Sequence, residues 1–136
     1  MRRVAIAGVI ALEPTYLILD EPSAGLDPRG RDEIFGQIIK MHQNTGITVV
    51  LVSHNMEDVA RMANRLIVMN HGEISLDGSP TYIFRDCQTQ LKDAGVDVPP
   101  LTLLMNKFNQ RGLAVDHTVV AVEAAAESVF TALGRR

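Results

Sequence analysis

The sequence predicts an α/β fold built on parallel strands. Tyr16 to Leu19 is a short continuous apolar run that suits a strand covered on both faces, and Ile47 to Val52 is a second continuous run, rich in β-branched residues and of strand length. A segment with apolar residues at helical spacing separates them. A second helix and a third apolar run, Leu66 to Met69, follow, so residues 15 to 70 alternate strand, helix, strand, helix, strand. That alternation implies parallel strands joined by right-handed crossovers.

Each element has its own signal. Val4, Ile6, Ala7, Ile10 and Ala11 give residues 2 to 12 a helical pattern despite Gly8, and Glu13-Pro14 ends it. After the first strand, Asp27-Pro28 is a helix start, with Asp as N-cap and Pro at the first helical position. Ile34, Phe35, Ile38, Ile39 and His42 then mark one face, and Asn44-Thr45-Gly46 stops the helix. Ser53-His54-Asn55 follows the second strand and leads into a helix through Val59, Ala60 and Ala63. Leu66 to Met69, the turn Asn70-His71-Gly72-Glu73 and Ile74 to Leu76 read as a hairpin. Gly78-Ser79-Pro80 opens another helix, capped by Ser79. Beyond about residue 86 the pattern becomes wholly helical. Residues 87 to 94 form a helix stopped by Gly95, Val98-Pro99-Pro100 is a rigid link, residues 101 to 110 form a helix ended by Arg111-Gly112, and an Ala-rich helix over 121 to 133 is capped by Gly134. Two parts are therefore expected: residues 1–86, and a helical extension over residues 87–136.

Composition excludes several function classes. A net charge of −3 argues against binding nucleic acid through a basic face. Arg2-Arg3 and Arg135-Arg136 read as solvated helix ends. No apolar run is long enough to span a bilayer, and Glu13-Pro14 interrupts the segment after Arg2-Arg3 too early for a signal peptide. The single Cys87 cannot form an internal disulfide and reads as a surface or half-buried thiol. His42, His71 and His117 lack metal-ligand spacing.

The chemistry concentrates at strand ends. In open α/β sheets, ligands bind beyond the carboxyl ends of the strands. Asp20 and Glu21 lie at that edge after the first strand, and Ser53 and His54 lie there after the second. Phosphoryl transfer suits this set. Mg²⁺ takes hard oxygen ligands and keeps waters, so one Asp suffices. A second carboxylate can deprotonate an attacking water, and an imidazole can donate to a terminal phosphate. Taken alone, an Asp-Glu pair after an apolar run is usually just a strand end with solvated charges, and a Ser-His pair is usually a cap.

The motifs do not stand alone. Leu17-Ile18-Leu19-Asp20-Glu21-Pro22 resembles the Walker B motif of ATP-binding-cassette ATPases, a P-loop NTPase-like family. Ser23-Ala24-Gly25-Leu26-Asp27 resembles that family's D-loop, and His54 its switch histidine. Residues 1–7 look like the helix after its signature sequence, and Asn70 to Ile74 like the hairpin after its last core strand. The resemblance covers roughly residues 1 to 85 and implies the rest residue by residue. Asp20 would organise Mg²⁺ through water, Glu21 would be the general base of ATP hydrolysis, and His54 would contact the γ-phosphate. Ser23, Ala24, Gly25, Leu26 and Asp27 would lie across an ATPase dimer interface beside the nucleotide. Residues 91 to 102 resemble the ATPase subunits of energy-coupling-factor transporters, which import vitamins or ions such as cobalt and nickel. That implies a second ATPase subunit and a transmembrane coupling subunit as partners, at the cytoplasmic face of the membrane.

The chain departs from the family in one respect. The phosphate-cradling pattern G-x-x-x-x-G-K-[ST] does not occur, because none of Lys40, Lys92 and Lys107 follows a Gly. The expectation is a sheet half lacking the N-terminal part of the ATPase, with an unpaired edge and exposed apolar surface. Two other readings are an interaction module docking on a full ATPase or coupling subunit, and a DNA-repair-type ATPase. A pure scaffold has no chemical need for Glu21 with His54. The DNA-repair reading is disfavoured by the absence of a heptad region.

Overall fold

A computed structural model describes residues 8, 9, 14–116, 118, 119 and 121–134. Gly8 and Val9 are helical, while the rest of the helix expected over 2 to 12, His117 and the terminal Arg pairs lie outside the described residues. The chain divides into two units, residues 1–54 and 55–136.

In the first unit, β1 (Tyr16–Asp20) and β2 (Thr48–Val52) flank α1 (Pro28–Thr45). The strands pair in parallel, in register from Tyr16↔Thr48 to Asp20↔Val52, as the apolar runs predicted. Side chains alternate across a strand, so β1 buries Leu17 and Leu19 on one face. The expectation that both faces are covered is corrected. Tyr16 and Ile18 are 69% and 70% exposed, and Val50 and Val52 are also exposed. Among the described residues, nothing covers that face.

The Asp27 side chain accepts a hydrogen bond from Gly30 N–H (3.1 Å), and Pro28 opens the helix. Gly46 ends it at φ +68°, in the left-handed region where Gly carries no Cβ penalty. Ile34, Phe35, Ile38 and Met41 form the buried stripe. His42, expected on that stripe, is exposed instead, and its Nδ1 donates to the Ile47 carbonyl at 2.7 Å.

The second unit opens with α2 (Met56–Met62), capped by Asn55, whose side-chain oxygen accepts from Glu57 and Asp58 N–H groups. β3 (Leu66–Asn70) does not extend a parallel sheet. It pairs antiparallel with β4 (Glu73–Gly78). His71 and Gly72 form the two-residue turn with φ of 50° and 82°, the doubly left-handed backbone that matches hairpin twist. Arg65 grips Asp77 with two hydrogen bonds, of 2.9 and 2.7 Å, across the strands.

Four helices follow: α3 (Pro80–Asp86), α4 (Gln88–Asp93), α5 (Pro100–Gln110) and α6 (Val122–Ala132). Ser79 caps α3 as expected. Pro100 begins α5 rather than ending a link, because Pro fits a first helical position. Val59, Leu66, Val68, Ile83, Phe84 and Leu91 form one core, and Cys87 is buried within it. The expected surface or half-buried thiol is thus a core residue, since a free Cys packs like a small hydrophobe. Met105, Val115 and Ala125 make a second cluster.

Candidate functional site

The parallel pairing of β1 and β2 brings together two residues 33 apart in sequence. Hydrogen bonding runs one step past the end of β1, where Glu21 N–H donates to the Val52 carbonyl at 2.9 Å. Glu21 sits at φ +45°, in the left-handed region. A residue with a Cβ is held there at a cost of about 1–2 kcal/mol. Pro22 follows, and two turns, Ala24 N–H to the Glu21 carbonyl and Leu26 N–H to the Ser23 carbonyl, carry the chain to α1.

The bent backbone is accompanied by a clamp on the carboxylate. Oε1 accepts from the His54 backbone N–H at 2.8 Å and lies 2.6 Å from His54 Nδ1. Oε2 accepts from the Ser53 hydroxyl at 3.4 Å. Three consecutive residues of one strand end thus hold Glu21 by backbone, hydroxyl and ring. Partial burial pushes the Glu21 carboxyl up, but the His54 ring and backbone donors, with the Ser53 hydroxyl, outweigh it. The carboxyl therefore sits below its ordinary value and is ionised at neutral pH. The His54 side chain is 86% exposed, so its ring is open to a ligand, whereas Glu21 is 29% exposed.

Asp20 is the last residue of β1 and is exposed, on the same face as Ile18. Ser23 to Asp27 form the turn between β1 and α1, with Gly25 at φ +74°. Asp27 is the α1 cap. The structure therefore joins Glu21 to His54 directly, sets Asp20 beside Glu21 in the chain, and gives Asp27 a structural duty. Among the described residues no three His, Cys, Asp or Glu side chains gather as a metal cage. A lone exposed Asp carboxylate fits Mg²⁺ bound largely through phosphates and water, because that ion needs only one or two protein carboxylates.

Sequence reasoning placed Glu21 and His54 at one sheet edge, where the structure brings them together, but missed the hold of Ser53 and Val52 on Glu21. A left-handed Glu carries no local signal, since Pro22 and the turn after it suit other geometries too. The Ser53 contact depends on strand register, which spacing alone does not supply.

Residues 1–58 match the family described as "AAA domain, putative AbiEii toxin, Type IV TA system". The chain is 47% identical over 129 residues to the energy-coupling factor transporter ATP-binding protein EcfA2 of Clostridium tetani, covering 95% of this chain and 44% of that protein. The EcfA2 of Clostridium perfringens is 48% identical over 129 residues, 95% of this chain and 45% of that protein. The chain thus spans somewhat under half the length of these relatives. Among solved structures, cbiO1 from Clostridium perfringens, part of the ABC transporter complex cbiONQ, aligns at a TM-score of 0.58 and 38% identity, over 76% of this chain and 41% of that one. A structure described as "An inward-facing conformation of a putative metal-chelate type ABC transporter" aligns at a TM-score of 0.62 and 26% identity, over 69% of this chain and 36% of that one.

Proposed function

We propose that this chain, which is homologous over 95% of its length to ATP-binding proteins of energy-coupling factor transporters and has the fold of ABC ATPase domains, supplies the water-activating side of an ATP hydrolysis site. The observation that carries the reading is the approach of Glu21 and His54, 2.6 Å apart at the ends of adjacent parallel strands. Glu21 is the general base. Its carboxylate takes a proton from the water that attacks the γ-phosphate. His54 begins paired with Glu21 and can turn its exposed ring to donate to the γ-phosphate. Once it does, Oε1 loses its shortest donor, and the basicity of Glu21 rises at the moment the phosphate arrives.

Asp20 would be the protein carboxylate that helps hold Mg²⁺, and the ion would supply neutralisation of phosphate charge. Ser23 to Asp27 contact a second ATPase subunit and the nucleotide between the two. The partners are that subunit and a transmembrane coupling subunit, and the site of action is the cytoplasmic face of the membrane. Residues 1–86 belong to the ATPase core, and residues 87–136 form the helical extension. No G-x-x-x-x-G-K-[ST] pattern occurs in these residues, so the chain by itself binds Mg-ATP weakly and is inactive.

The test is Mg-ATP hydrolysis by a full-length protein, assembled from these residues and the part of the Clostridium perfringens relative that they do not span. Glu21→Gln lowers turnover by about 10²–10⁴, the usual share of general-base catalysis, and leaves nucleotide binding in place. Unchanged turnover refutes the role. One observation favours a second reading, an interaction module. Val122, Phe130 and Leu133 of the helical extension are 68%, 56% and 53% exposed.

A further inference from the structure

The two oxygens of Glu21 are held unequally, and the difference has a chemical consequence. A carboxylate offers about four lone-pair sites, two on each oxygen. Oε1 faces two close donors, the His54 N–H at 2.8 Å and the His54 ring at 2.6 Å. Both its sites are engaged at distances typical of charge-assisted bonds. Among the described residues, Oε2 accepts only the Ser53 hydroxyl, at 3.4 Å. Even after the His54 ring turns away, Oε1 keeps the backbone N–H at 2.8 Å, so Oε2, held only at 3.4 Å, is the less strongly hydrogen-bonded and more basic oxygen throughout.

We infer that Oε2 of Glu21 is the atom that takes the proton, and that Ser53 is a positioning residue that aims it. The inference rests on Glu21 acting as the base. In the step, one O–H bond of the attacking water breaks and its proton goes to Oε2. The water oxygen forms its new bond to the γ-phosphorus as the bridging P–O bond breaks, and that electron pair leaves with ADP. The proton on Oε2 then returns to solvent or to the released phosphate. When His54 turns to the phosphate, two holds on the carboxylate remain: the His54 backbone N–H on Oε1 and the Ser53 hydroxyl on Oε2. Together they bias the orientation of the carboxylate through the step, the backbone N–H at 2.8 Å more strongly than the hydroxyl at 3.4 Å. The Val52 carbonyl fixes the backbone beneath it. Ser53 is half-buried, which limits the rotamers of its hydroxyl.

Two readouts test this. In the 136-residue chain, the Glu21 carboxyl is titrated by carbon NMR in wild type, Ser53→Ala and Ser53→Thr. A donor to a carboxylate lowers its pKa, so its loss in Ser53→Ala moves the midpoint up, and the Thr hydroxyl restores it. An unmoved midpoint in Ser53→Ala overturns the contact. In the full-length assembly, Ser53→Ala lowers kcat roughly two- to tenfold, the worth of one hydrogen bond, with KM unchanged and the acid limb of the rate profile moved to higher pH. Ser53→Thr recovers both. A fall in kcat without rescue by Thr, or a rise in KM instead, overturns the positioning role. Glu21→Gln separates the two ideas. If it abolishes hydrolysis while Ser53→Ala leaves turnover and its pH profile unchanged, Ser53 fails and the base stands. If Glu21→Gln leaves turnover intact, both fail.

Discussion

Asp27 caps α1 and has a proposed second duty at a dimer interface, and substitutions can separate the two. Its side chain accepts from Gly30 N–H at 3.1 Å, and its carbonyl accepts from Arg31 N–H at 3.0 Å. The first bond is the N-cap of an 18-residue helix. Replacing such a cap by Ala costs about 0.5–2 kcal/mol. The charge at the helix N-terminus adds roughly 0.3–1 kcal/mol, because the first turn presents unpaired N–H groups. Asp27→Ala therefore loses about 0.8–3 kcal/mol at this helix end. Asp27→Asn keeps a good cap and loses only the charge, a few tenths to about 1 kcal/mol. Amide hydrogen exchange at Gly30 reads this locally. Each 1.4 kcal/mol is about tenfold, so Ala lowers protection at Gly30 roughly four- to hundredfold and Asn only a few-fold. Equal protection in both variants, or none lost in either, refutes the cap. In the full-length assembly, Asp27→Asn then isolates the proposed duty at the dimer interface. Loss of hydrolysis with Gly30 still protected belongs to the interface alone.

Three further outcomes follow from the geometry. The uncovered face bearing Tyr16, Ile18, Val50 and Val52 makes this chain self-associate. Ile18→Lys lowers its apparent mass in sedimentation, whereas a monodisperse wild-type monomer that melts cooperatively would count against the exposed face. Because the Glu21 carboxyl sits below its ordinary value when folded, its stabilising contribution is present above the ordinary glutamate range and fades as pH falls through the lowered value. In urea titrations across that acid window, Glu21→Gln flattens the loss of stability, and an identical acid limb in both proteins would show that the pairing contributes nothing. Phe35 is fully buried, and Phe35→Ala destabilises the first unit by about 3–5 kcal/mol, measured by denaturation, while a loss below about 1 kcal/mol would mean that α1 does not anchor it.

Much of this was legible in the sequence, for physical reasons that differ by element. The two strands and α1 were readable because their signals are local: a β-branched run, Asp27-Pro28 at one helix end and Gly46 at the other. Glu21 and His54 were readable because adjacent parallel strands must end on the same edge. What was not legible depends on partners. The run Tyr16 to Leu19 looks fully buried, yet an apolar run states only what a strand tolerates, and here only Leu17 and Leu19 are covered. The hairpin of Leu66 to Met69 with Ile74 to Leu76 was legible from its turn residues, but the third parallel strand expected there was not found, since among the described residues β3 pairs with β4 alone. Cys87 was misplaced because a single thiol carries no pattern, and only its place among Ile83, Phe84 and Leu91 reveals that it is core.

The in-register pairing of β1 with β2 does more than shape a sheet. Successive side chains of a strand point to opposite faces, so a slip of one residue would turn Leu17 and Leu19 outward and Tyr16 and Ile18 inward. The same slip would take Glu21 away from Val52, Ser53 and His54. Misaligned chains are therefore penalised twice over, once in the core and once in the clamp. The apolar side chains act as a proofreading device for the polar ones. A chain that has buried Leu17 and Leu19 has already set its carboxylate against its histidine. Assembly of the Glu21–His54 pair thus needs no selection step of its own.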